Sequence, residues 1–476
     1  MRNNDKILSN PEWKPVTPLA DAIIKLRNKT NYSFHALPIF GGASVSECNL
    51  GMKYREIFGE RMCNAEMTVV GKEFDSFFFP ETVIKESEQL AAELFGADGT
   101  LFVTTGTTTS NQIAIHALCN NNSKVLLDKS CHQSMHFTLN TLGARIDYIS
   151  HTVSCENSDR SYWDLEELVQ MALTAQQQGC PYQLIVLNAQ SYDGVIYDIP
   201  GIISYLLNNG VVTRSFLIDE AWGSANYFHK SLFQYAATNI TPLLHQFPDL
   251  WVVATQSAHK SLSCLRQASL IHFRGTEELL KRLQCARFRI HTTSPSYPIL
   301  ASIDLARAQM KMSGTTLLER TTALAESFCA QVQTDENLSS YTINSFKFPR
   351  APFTYASADP TKVSLNISGL DTPASELKDL LYSKYGIYIS RVTNDSILLN
   401  FHIGISSDAV NKLLDALRNI QSDNASRWTE SAAASDSYVI PYPPGVPLIV
   451  PGEHVTPLIR KKLNTIKRAG TRIFII

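Results

Sequence analysis

The sequence predicts an α/β protein with a large, mostly parallel sheet domain that has helices on both faces, followed by a small C-terminal α+β domain. From Pro80 onward, short apolar segments alternate with amphipathic helical segments, which is typical of a parallel sheet. After about residue 311 the order changes to helix, strand, helix, strand and helix. The 476 residues exceed what one compact core needs. We therefore expect an N-terminal arm over residues 1–75, a large domain over 76–310 and a small domain over 311–476.

The alternating segments define the elements of the large domain. An amphipathic helix is expected over residues 81–95 and a second helix over residues 111–119. Apolar segments typical of strands buried on both faces occupy residues 101–103, 125–127, 146–149, 184–187, 216–218, 251–254 and 268–272.

The two ends of the chain have weaker patterns. Residues 1 to about 70 contain Pro and Gly at short intervals, so a helix is expected there only over residues 17–27. In the small domain, the sequence pattern predicts strands over 363–367 and 397–401 and helices over 375–385 and 408–420. Thr372 is the expected N-cap of the first of these helices, Pro373 its first residue, and Gly386 its end. The Ser/Ala/Asp-rich residues 421–437 are expected to form a loop.

Composition excludes several classes of protein. A charged fraction of 18% and a net charge of -2 give no basic surface for nucleic acid, and the basic cluster at 460–468 is short enough to be a solvated helix face. The nine Cys residues form no CxxC pair, so we expect neither a disulfide framework nor a metal site. A reducing, cytoplasmic location fits them. The polar N-terminus and the absence of a long apolar run predict no signal peptide and no membrane segment.

Three segments place polar groups directly after a predicted strand, where open α/β sheets bind their ligands. In TTGTTTSN, residues 104–111, Gly106 permits a tight turn, and the hydroxyls and the following helix N-terminus could hold a phosphate group. Asp219, at the end of an apolar strand, could keep a pyridine nitrogen protonated. Lys260, in ATQSAHKS, could form a Schiff base with an aldehyde once its amine is buried.

Each of these segments also has a plain structural explanation. Thr-rich turns often cap helices, an acid after a strand often caps a turn, and a lone Lys usually lies on the surface. Their occurrence together, in the order phosphate cup, acid and lysine, favours a cofactor site. His132 follows another strand and could lay its imidazole on a cofactor ring, although by itself it is typical of a helix start.

Taken together, these residues resemble the ornithine/lysine/arginine decarboxylases, which use pyridoxal 5'-phosphate (PLP) and have the aspartate-aminotransferase fold, PLP fold type I. The resemblance covers about Glu81 to Ser302 and PYPPGVPLIVPGE at 441–453. It implies that Lys260 carries PLP as a Schiff base, that Asp219 binds the pyridinium nitrogen and that His132 stacks on the ring. It further implies cofactor contacts from Gly106, Thr107, Thr108, Trp222, Ser257 and His259.

The segment HTTSPSYP, residues 291–298, is similar to one that in this family reaches the neighbouring subunit's active site. The resemblance therefore implies that Thr293 and Ser294 complete the partner's cofactor site. It also implies a homodimer or a higher homo-oligomer with a shared active site.

Three regions depart from the family. Its Pro-Gly-His-Lys type motif is absent after Phe34 and His35, where residues 36–42 read ALPIFGG. Its acidic stretch before the large domain is replaced by CNAEMT at 63–68, and an expected acid after YGI in the small domain is replaced by Ser390 and Arg391. In the family these regions line the substrate side of the site. The resemblance thus implies an intact cofactor site beside an altered substrate pocket.

The expected function is decarboxylation of a basic amino acid, namely arginine, lysine or ornithine, to its amine through a Schiff base with PLP. An alternative that the altered arm favours is removal of the Cα proton, leading to elimination, cyclisation or oxidation of arginine or hydroxyarginine. A second alternative is a non-catalytic PLP-fold binding protein, although retention of Lys260, Asp219 and His132 disfavours it. A dinucleotide-dependent dehydrogenase is disfavoured because no GxGxxG follows a predicted strand.

Overall fold

A computed structural model describes most of the chain. The described residues are 15–30, 32–45, 49–68, 71, 74–153, 161–348, 350–370, 372–389, 391–393, 395–430, 435–442, 445–454, 459, 462–463, 466 and 471–476.

The α-helices of the described residues are numbered in chain order. They are α1 (Pro18–Lys29), α2 (Leu50–Ala65), α3 (Val83–Leu94), α4 (Thr107–Leu118), α5 (Gln133–Leu142), α6 (Leu165–Gln177), α7 (Ile199–Asn208), α8 (Thr241–Gln246), α9 (Ala258–Ser261), α10 (Glu277–Ile290), α11 (Tyr297–Thr334), α12 (Ala374–Tyr385) and α13 (Ser407–Glu430). Short 3-10 helices occupy Phe40–Val45, Ser224–Phe228, Phe233–Tyr235 and Glu336–Leu338.

The strands are numbered in the same way. They are β1 (Gly99–Val103), β2 (Lys124–Asp128), β3 (Arg145–Ile149), β4 (His151–Val153), β5 (Ser161–Trp163), β6 (Leu184–Asn188), β7 (Val195–Tyr197), β8 (Ser215–Asp219), β9 (Trp251–Gln256), β10 (Ser269–Arg274), β11 (Thr342–Ile343), β12 (Ala356–Ala358), β13 (Lys362–Asn366), β14 (Arg391–Val392), β15 (Ser396–Asn400), β16 (Val439–Tyr442) and β17 (Arg472–Ile475).

The chain divides into two compact units, one comprising residues 1–319 and 347–359 and the other residues 320–346 and 360–476. The first unit therefore ends inside α11, beyond the expected boundary at residue 310, because this helix continues without a break. Residues 347–359 return to the first unit, where β12 pairs antiparallel with β7. The separate arm over residues 1–75 stays a prediction.

The first unit is built on a seven-stranded sheet in the order β1-β10-β9-β8-β6-β2-β3. The five strands from β9 to β3 run parallel to one another, whereas β10 and β1 complete one edge in antiparallel fashion. The mostly parallel sheet predicted from the alternating pattern is confirmed.

Alternate residues of the central strands enter two different hydrophobic cores, because successive side chains of a strand point to opposite faces. On one face Ile185, Phe216 and Ile218 pack with residues of α6 and α7. On the other face Val186 and Leu217 pack with residues of α4, α5 and α10. The sheet is thus covered by helices on both faces, as expected.

The second unit is a small α+β body. Its four-stranded antiparallel sheet has the order β11-β13-β15-β14, and its core combines strand residues with residues of α12, α13 and the end of α11. Strands β16 and β17 form a separate antiparallel pair. Helix α12 begins at Ala374 with Pro373 as its N-cap, one residue later than expected, and ends at Gly386 in the left-handed conformation, as expected.

Two local predictions are wrong. The arm contains a second helix, α2, which periodicity did not reveal because its apolar residues are not confined to one face and Gly59, with a φ of 66°, kinks it. The expected loop after residue 420 is helical as far as Glu430, because no Gly or Pro interrupts that part of the sequence. Among the described residues, no helix is both long enough and apolar enough to cross a membrane.

Candidate active site

The three strand-end segments meet at one cavity of about 600 Å³. It lies at the edge of the sheet where β8 and β9 end and where the loops leading into α4, α5 and β10 come together. Its lining comprises Thr105, Gly106, Thr107, Thr108, Asn111, His132, Asp219, Ala221, Ser257, His259, Lys260, Arg266 and Gln267. The structure therefore brings together eight of the sequence-derived candidates, namely Gly106, Thr107, Thr108, His132, Asp219, Ser257, His259 and Lys260.

The N-terminus of α4 forms a cup on one side of this cavity. Gly106 is the N-cap and has a φ of 84°, a conformation that a side chain would strain. Its N–H donates to the carbonyl of Gln267 at 2.9 Å, which ties the cup to the loop before β10. The N–H groups of Thr107 and Thr108 have no hydrogen-bond partner among the described residues, and the buried Thr105 Oγ1 has none either. The cup thus offers unused donors to a ligand.

Hydrogen bonds among buried hydroxyl groups hold the cup against the neighbouring strands β9 and β10. Thr107 Oγ1 lies 2.5 Å from Ser257 Oγ and 2.9 Å from Ser269 Oγ. Ser269 Oγ in turn donates to the Gln256 carbonyl at 2.7 Å. These contacts fix the end of β9 and the start of α4 against each other. The cup therefore keeps a fixed position relative to the segment that contains Lys260.

Asp219, at the end of β8, is almost fully buried. Its Oδ2 accepts the His132 N–H at 3.1 Å and its Oδ1 accepts the Ala221 N–H at 3.3 Å. Nearby, burial raises the pKa of the Cys131 thiol well above its ordinary value, and the charges of Asp128 and Asp219 add to this effect. The two backbone donors orient the Asp219 carboxylate between the sheet and the start of α5.

His132 is the N-cap of α5, which agrees with its explanation as a helix-start residue. Its Nδ1 accepts the Ser134 N–H at 3.2 Å and lies 2.9 Å from Ser134 Oγ. Its Nε2 has no hydrogen-bond partner among the residues that the structure describes. One nitrogen therefore caps the helix, while the other remains available to a ligand in the cavity.

Lys260 lies in the short helix α9 and is partly buried. Burial lowers the pKa of its amine, and the negative charge of Asp219 opposes this shift. Its Nζ lies 4.2 Å from the centre of the Trp222 ring, which places Trp222 beside the amine. Trp222 itself is not among the residues that line the cavity.

A hydrogen bond to the backbone before β10 orients the His259 ring. Its Nδ1 donates to the Ala268 carbonyl at 3.0 Å. Burial lowers the pKa of the imidazole; that hydrogen bond opposes the shift, while the charges of Lys260 and Arg266 add to it. A bound anion would have the opposite effect and favour a second proton on this ring.

The remaining candidates lie elsewhere. Thr293 and Ser294 are exposed and do not line this cavity. The altered arm segments line a separate cavity of about 110 Å³, to which residues 36–42 contribute Leu37, Phe40 and Gly41 and residues 63–68 contribute Asn64, Met67 and Thr68. Ser390, Pro443 and Pro444 lie outside the described residues, and Arg391 begins β14 in the second unit.

Sequence reasoning missed several lining residues, of which Arg266 and Gln267 matter most. They belong to the loop before β10 and reach the cup because Gln267 adopts a φ of 72° and its carbonyl binds Gly106. The only signal for them in the sequence is a basic residue shortly after the Lys260 helix. Among the described residues, the Arg266 guanidinium has no carboxylate partner.

Comparison with known proteins identifies the family to which the chain belongs. The sequence model of the family "Orn/Lys/Arg decarboxylase, major domain" matches residues 17–409, which is most of the chain. The chain belongs to the Orn/Lys/Arg decarboxylase family. Members of this family are PLP-dependent lyases that act on amino acids, so the expected family and enzyme class are confirmed.

The sequence relatives are distant but cover nearly the whole chain. Lysine decarboxylase LdcA of Pseudomonas aeruginosa is 25% identical over an alignment of 577 residues, gaps included, which covers 95% of this chain and 76% of the relative. Arginine decarboxylase of Bacillus subtilis is 26% identical over 485 residues, covering 92% and 91%. The chain is thus a divergent member of the family.

Solved structures confirm the fold. Lysine decarboxylase LdcF of Francisella novicida superposes with a TM-score of 0.75 at 19% identity, covering 97% of this chain and 79% of that chain. The constitutive lysine decarboxylase of E. coli superposes with a TM-score of 0.73 at 21% identity, covering 96% and 80%. The fold is therefore PLP fold type I, as expected.

Proposed function

We propose that this enzyme binds PLP through Lys260 and decarboxylates a basic amino acid, namely lysine, arginine or ornithine, to the corresponding amine. The observation that carries the proposal is the convergence of Lys260, Asp219, His132 and the α4 cup on one cavity, in a chain whose relatives include lysine and arginine decarboxylases. The cofactor is inferred from this convergence, and the substrate class is inferred from the family and its relatives.

The residues of the cavity fit the cofactor. The cup provides two unused backbone N–H groups, the unpartnered hydroxyl of Thr105 and a helix N-terminus, all of which suit a phosphate group. Arg266 adds a positive charge on the same side. In the same cavity, Asp219 is the acid suited to a pyridine nitrogen, and Lys260 is the amine suited to an aldehyde.

PLP, when bound, supplies an aldehyde that condenses with amines and a ring that accepts the electron pair left when a bond to Cα breaks. Asp219 would hold a proton at the ring nitrogen and so favour that electron flow. Lys260, whose pKa burial lowers, loses its proton more readily than an exposed lysine, which suits it to act as a nucleophile and, when its amine is free, as a proton carrier.

Decarboxylation breaks the bond between Cα and the carboxylate, releases carbon dioxide and requires a proton at Cα. The cavity offers two groups on which that proton can be held, the Lys260 amine and the His132 imidazole. Both groups belong to this chain.

Cα-proton removal is the second candidate function, and one observation favours it. The arm segments that the resemblance assigned to the substrate side line a cavity of their own in this chain, and no carboxylate is among its lining residues. A substrate pocket altered in this way could orient a different bond of the same substrate for cleavage.

One experiment distinguishes the two reactions. The PLP-loaded protein is incubated in deuterated water with lysine, arginine or ornithine labelled in the carboxyl carbon, and labelled carbon dioxide and deuterium at Cα of recovered substrate are both measured. We expect stoichiometric carbon dioxide and deuterium mainly in the amine product. Deuterium in recovered substrate without carbon dioxide would reject decarboxylation and support the second candidate. Lys260→Ala serves as the inactive control.

We further propose, from the resemblance alone, that Thr293 and Ser294 contribute to a cofactor site in a second copy of the chain. Both residues are exposed and neither lines the cavity of its own chain, which is consistent with such a role.

A further inference from the structure

We infer that Asn111, Ser134 and Thr255 are positioning residues that hold His132 in a single tautomer, with the ring proton on Nε2. Within the proposed function this proton is presented to the cofactor and substrate, and only this use of it rests on that proposal. The tautomer itself follows from hydrogen bonds within this chain.

A backbone group that can only donate a hydrogen bond fixes the role of one ring nitrogen of His132. The backbone N–H of Ser134 points to His132 Nδ1 at 3.2 Å. Because a backbone N–H has no lone pair to offer, Nδ1 must supply one and cannot carry a proton of its own. The proton of a neutral ring must then be on Nε2.

The Ser134 hydroxyl reinforces this assignment. Its Oγ lies 2.9 Å from the same Nδ1, and since Nδ1 is an acceptor, the hydroxyl must donate to it. A hydroxyl that donates to Nδ1 keeps its lone pairs free for another donor.

Asn111 supplies that donor. Its Nδ2 donates to Ser134 Oγ at 2.9 Å, while its Oδ1 accepts the Thr255 hydroxyl at 2.6 Å. Turning the amide over would leave the Thr255 hydroxyl without this acceptor and would compete for the Ser134 proton. Each side chain from Thr255 to Ser134 thus donates a hydrogen bond to the next residue in the series, and the series ends at His132.

Burial makes this direction stable. Thr255, Asn111 and Ser134 are 0%, 1% and 5% exposed, so water cannot easily replace the hydrogen bonds among these three side chains, whereas His132 at the end of the chain of hydrogen bonds is exposed to the cavity. Thr255 is also paired with Asp219 across β9 and β8, so the chain of hydrogen bonds starts beside the buried acid and ends at the imidazole. The residues therefore fix both the orientation of the ring and the position of its proton.

NMR spectroscopy tests the assigned tautomer directly. Long-range proton–nitrogen spectra are recorded on protein labelled with ¹⁵N-histidine, without added cofactor. His132→Gln identifies the His132 signals among those of the 12 His residues. We expect the wild-type pattern of an unprotonated Nδ1 and a protonated Nε2. A wild-type spectrum with the proton on Nδ1, or with both forms equally populated, would overturn the inference.

Asn111→Asp is the matched perturbation, because a carboxylate of the same shape can accept from Thr255 but cannot donate to Ser134. The Ser134 hydroxyl should then turn towards Asp at position 111, and the ratio of the Nε2–H form to the other ring forms should fall roughly tenfold. Ser134→Ala should shift the ratio in the same direction by less, since the backbone N–H remains, and Ser134→Thr should restore it.

Thr138→Val is the control, because its hydroxyl donates to the Ser134 carbonyl at 2.6 Å on the same helix and not to the ring. It should leave the tautomer ratio unchanged. If Asn111→Asp and Ser134→Ala both leave the ratio unchanged in folded protein, the positioning role is refuted. Because the spectra need neither PLP nor substrate, failure of the proposed function would leave this result intact, and the reverse also holds.

Discussion

The Lys260 amine lies 4.2 Å from the centre of the Trp222 ring, against the aromatic face that attracts a cation. Burial lowers the pKa of this amine, whereas the charge of Asp219 opposes the shift. Trp222 acts in the same direction as Asp219, because the ring stabilises the ammonium form. The reactivity of Lys260 is therefore a balance between burial and two groups that favour the charged state.

This balance predicts a pH dependence for the protein without cofactor. The neutral amine reacts with aldehydes, and since burial lowers the pKa, reductive labelling of Lys260 by a small aldehyde should rise at lower pH than labelling of the exposed Lys129. Trp222→Leu and Asp219→Asn should each move the Lys260 curve to still lower pH. Peptide mass spectrometry measures the labelling.

The control for this series is Trp251→Leu, which removes an aromatic ring that lies under Arg282 rather than Lys260. It should leave the Lys260 curve in place. Identical pH curves for Lys260 and Lys129 in the wild type would show that burial does not activate Lys260.

A second prediction concerns the acid at the end of β8. Asp219→Asn keeps an oxygen that can accept the His132 N–H but cannot hold a proton at a pyridine nitrogen. We expect the variant to bind PLP while turnover per bound cofactor falls about 100-fold or more. The exposed acid Asp249 provides the control, and Asp249→Asn should retain activity. Turnover of Asp219→Asn close to that of the wild type would assign the acid a structural role only.

Arg266 leads to a third prediction. Its guanidinium shares the cavity with the α4 cup, and it is sufficiently exposed that an ion pair with phosphate should contribute only moderately. Arg266→Gln should weaken PLP binding about tenfold, with a larger loss at low than at high ionic strength. Arg282→Gln, at an exposed arginine of α10, should have no effect. Fluorescence titration with PLP measures both affinities, and equal affinities would exclude a phosphate contact by Arg266.

The proposed shared site makes a fourth prediction. Lys260→Ala and the double variant Thr293→Ala/Ser294→Ala should each be inactive alone. If each site combines Lys260 of one chain with residues 293–294 of the other, exchange of subunits creates heterodimers with one intact site. An equal mixture should then recover about a quarter of wild-type activity. No recovery after demonstrated exchange would indicate a site completed within one chain.

Much of this site could be predicted because its parts follow strands. Apolar segments ending in Asp219 and in the Lys260 segment signalled parallel strands, and parallel strands bring their carboxyl ends to one edge of the sheet. Gly106 between a strand and a helix signalled the cup for the same reason. These are local patterns whose spatial consequence is fixed by topology.

Other parts depend on contacts that no local pattern specifies. Arg266 reaches the cavity through the unusual backbone of Gln267 and its bond to Gly106, which lies far away in the sequence. Asn111, Ser134 and Thr255 belong to three different elements, and only the packed sheet and helices bring their polar atoms together. The extension of α13 to Glu430 was hidden by a polar composition that is equally common in loops.

Borohydride reduction tests most directly the central claim that Lys260 carries PLP. The purified protein is loaded with PLP and reduced, and its peptides are then analysed by mass spectrometry. A Schiff base is converted by this treatment to a stable secondary amine, so the attached group marks the lysine that carried the cofactor. The account predicts a phosphopyridoxyl group on the peptide that contains Lys260 and none on that peptide in Lys260→Ala. A group found mainly on another lysine, or on none, would contradict it.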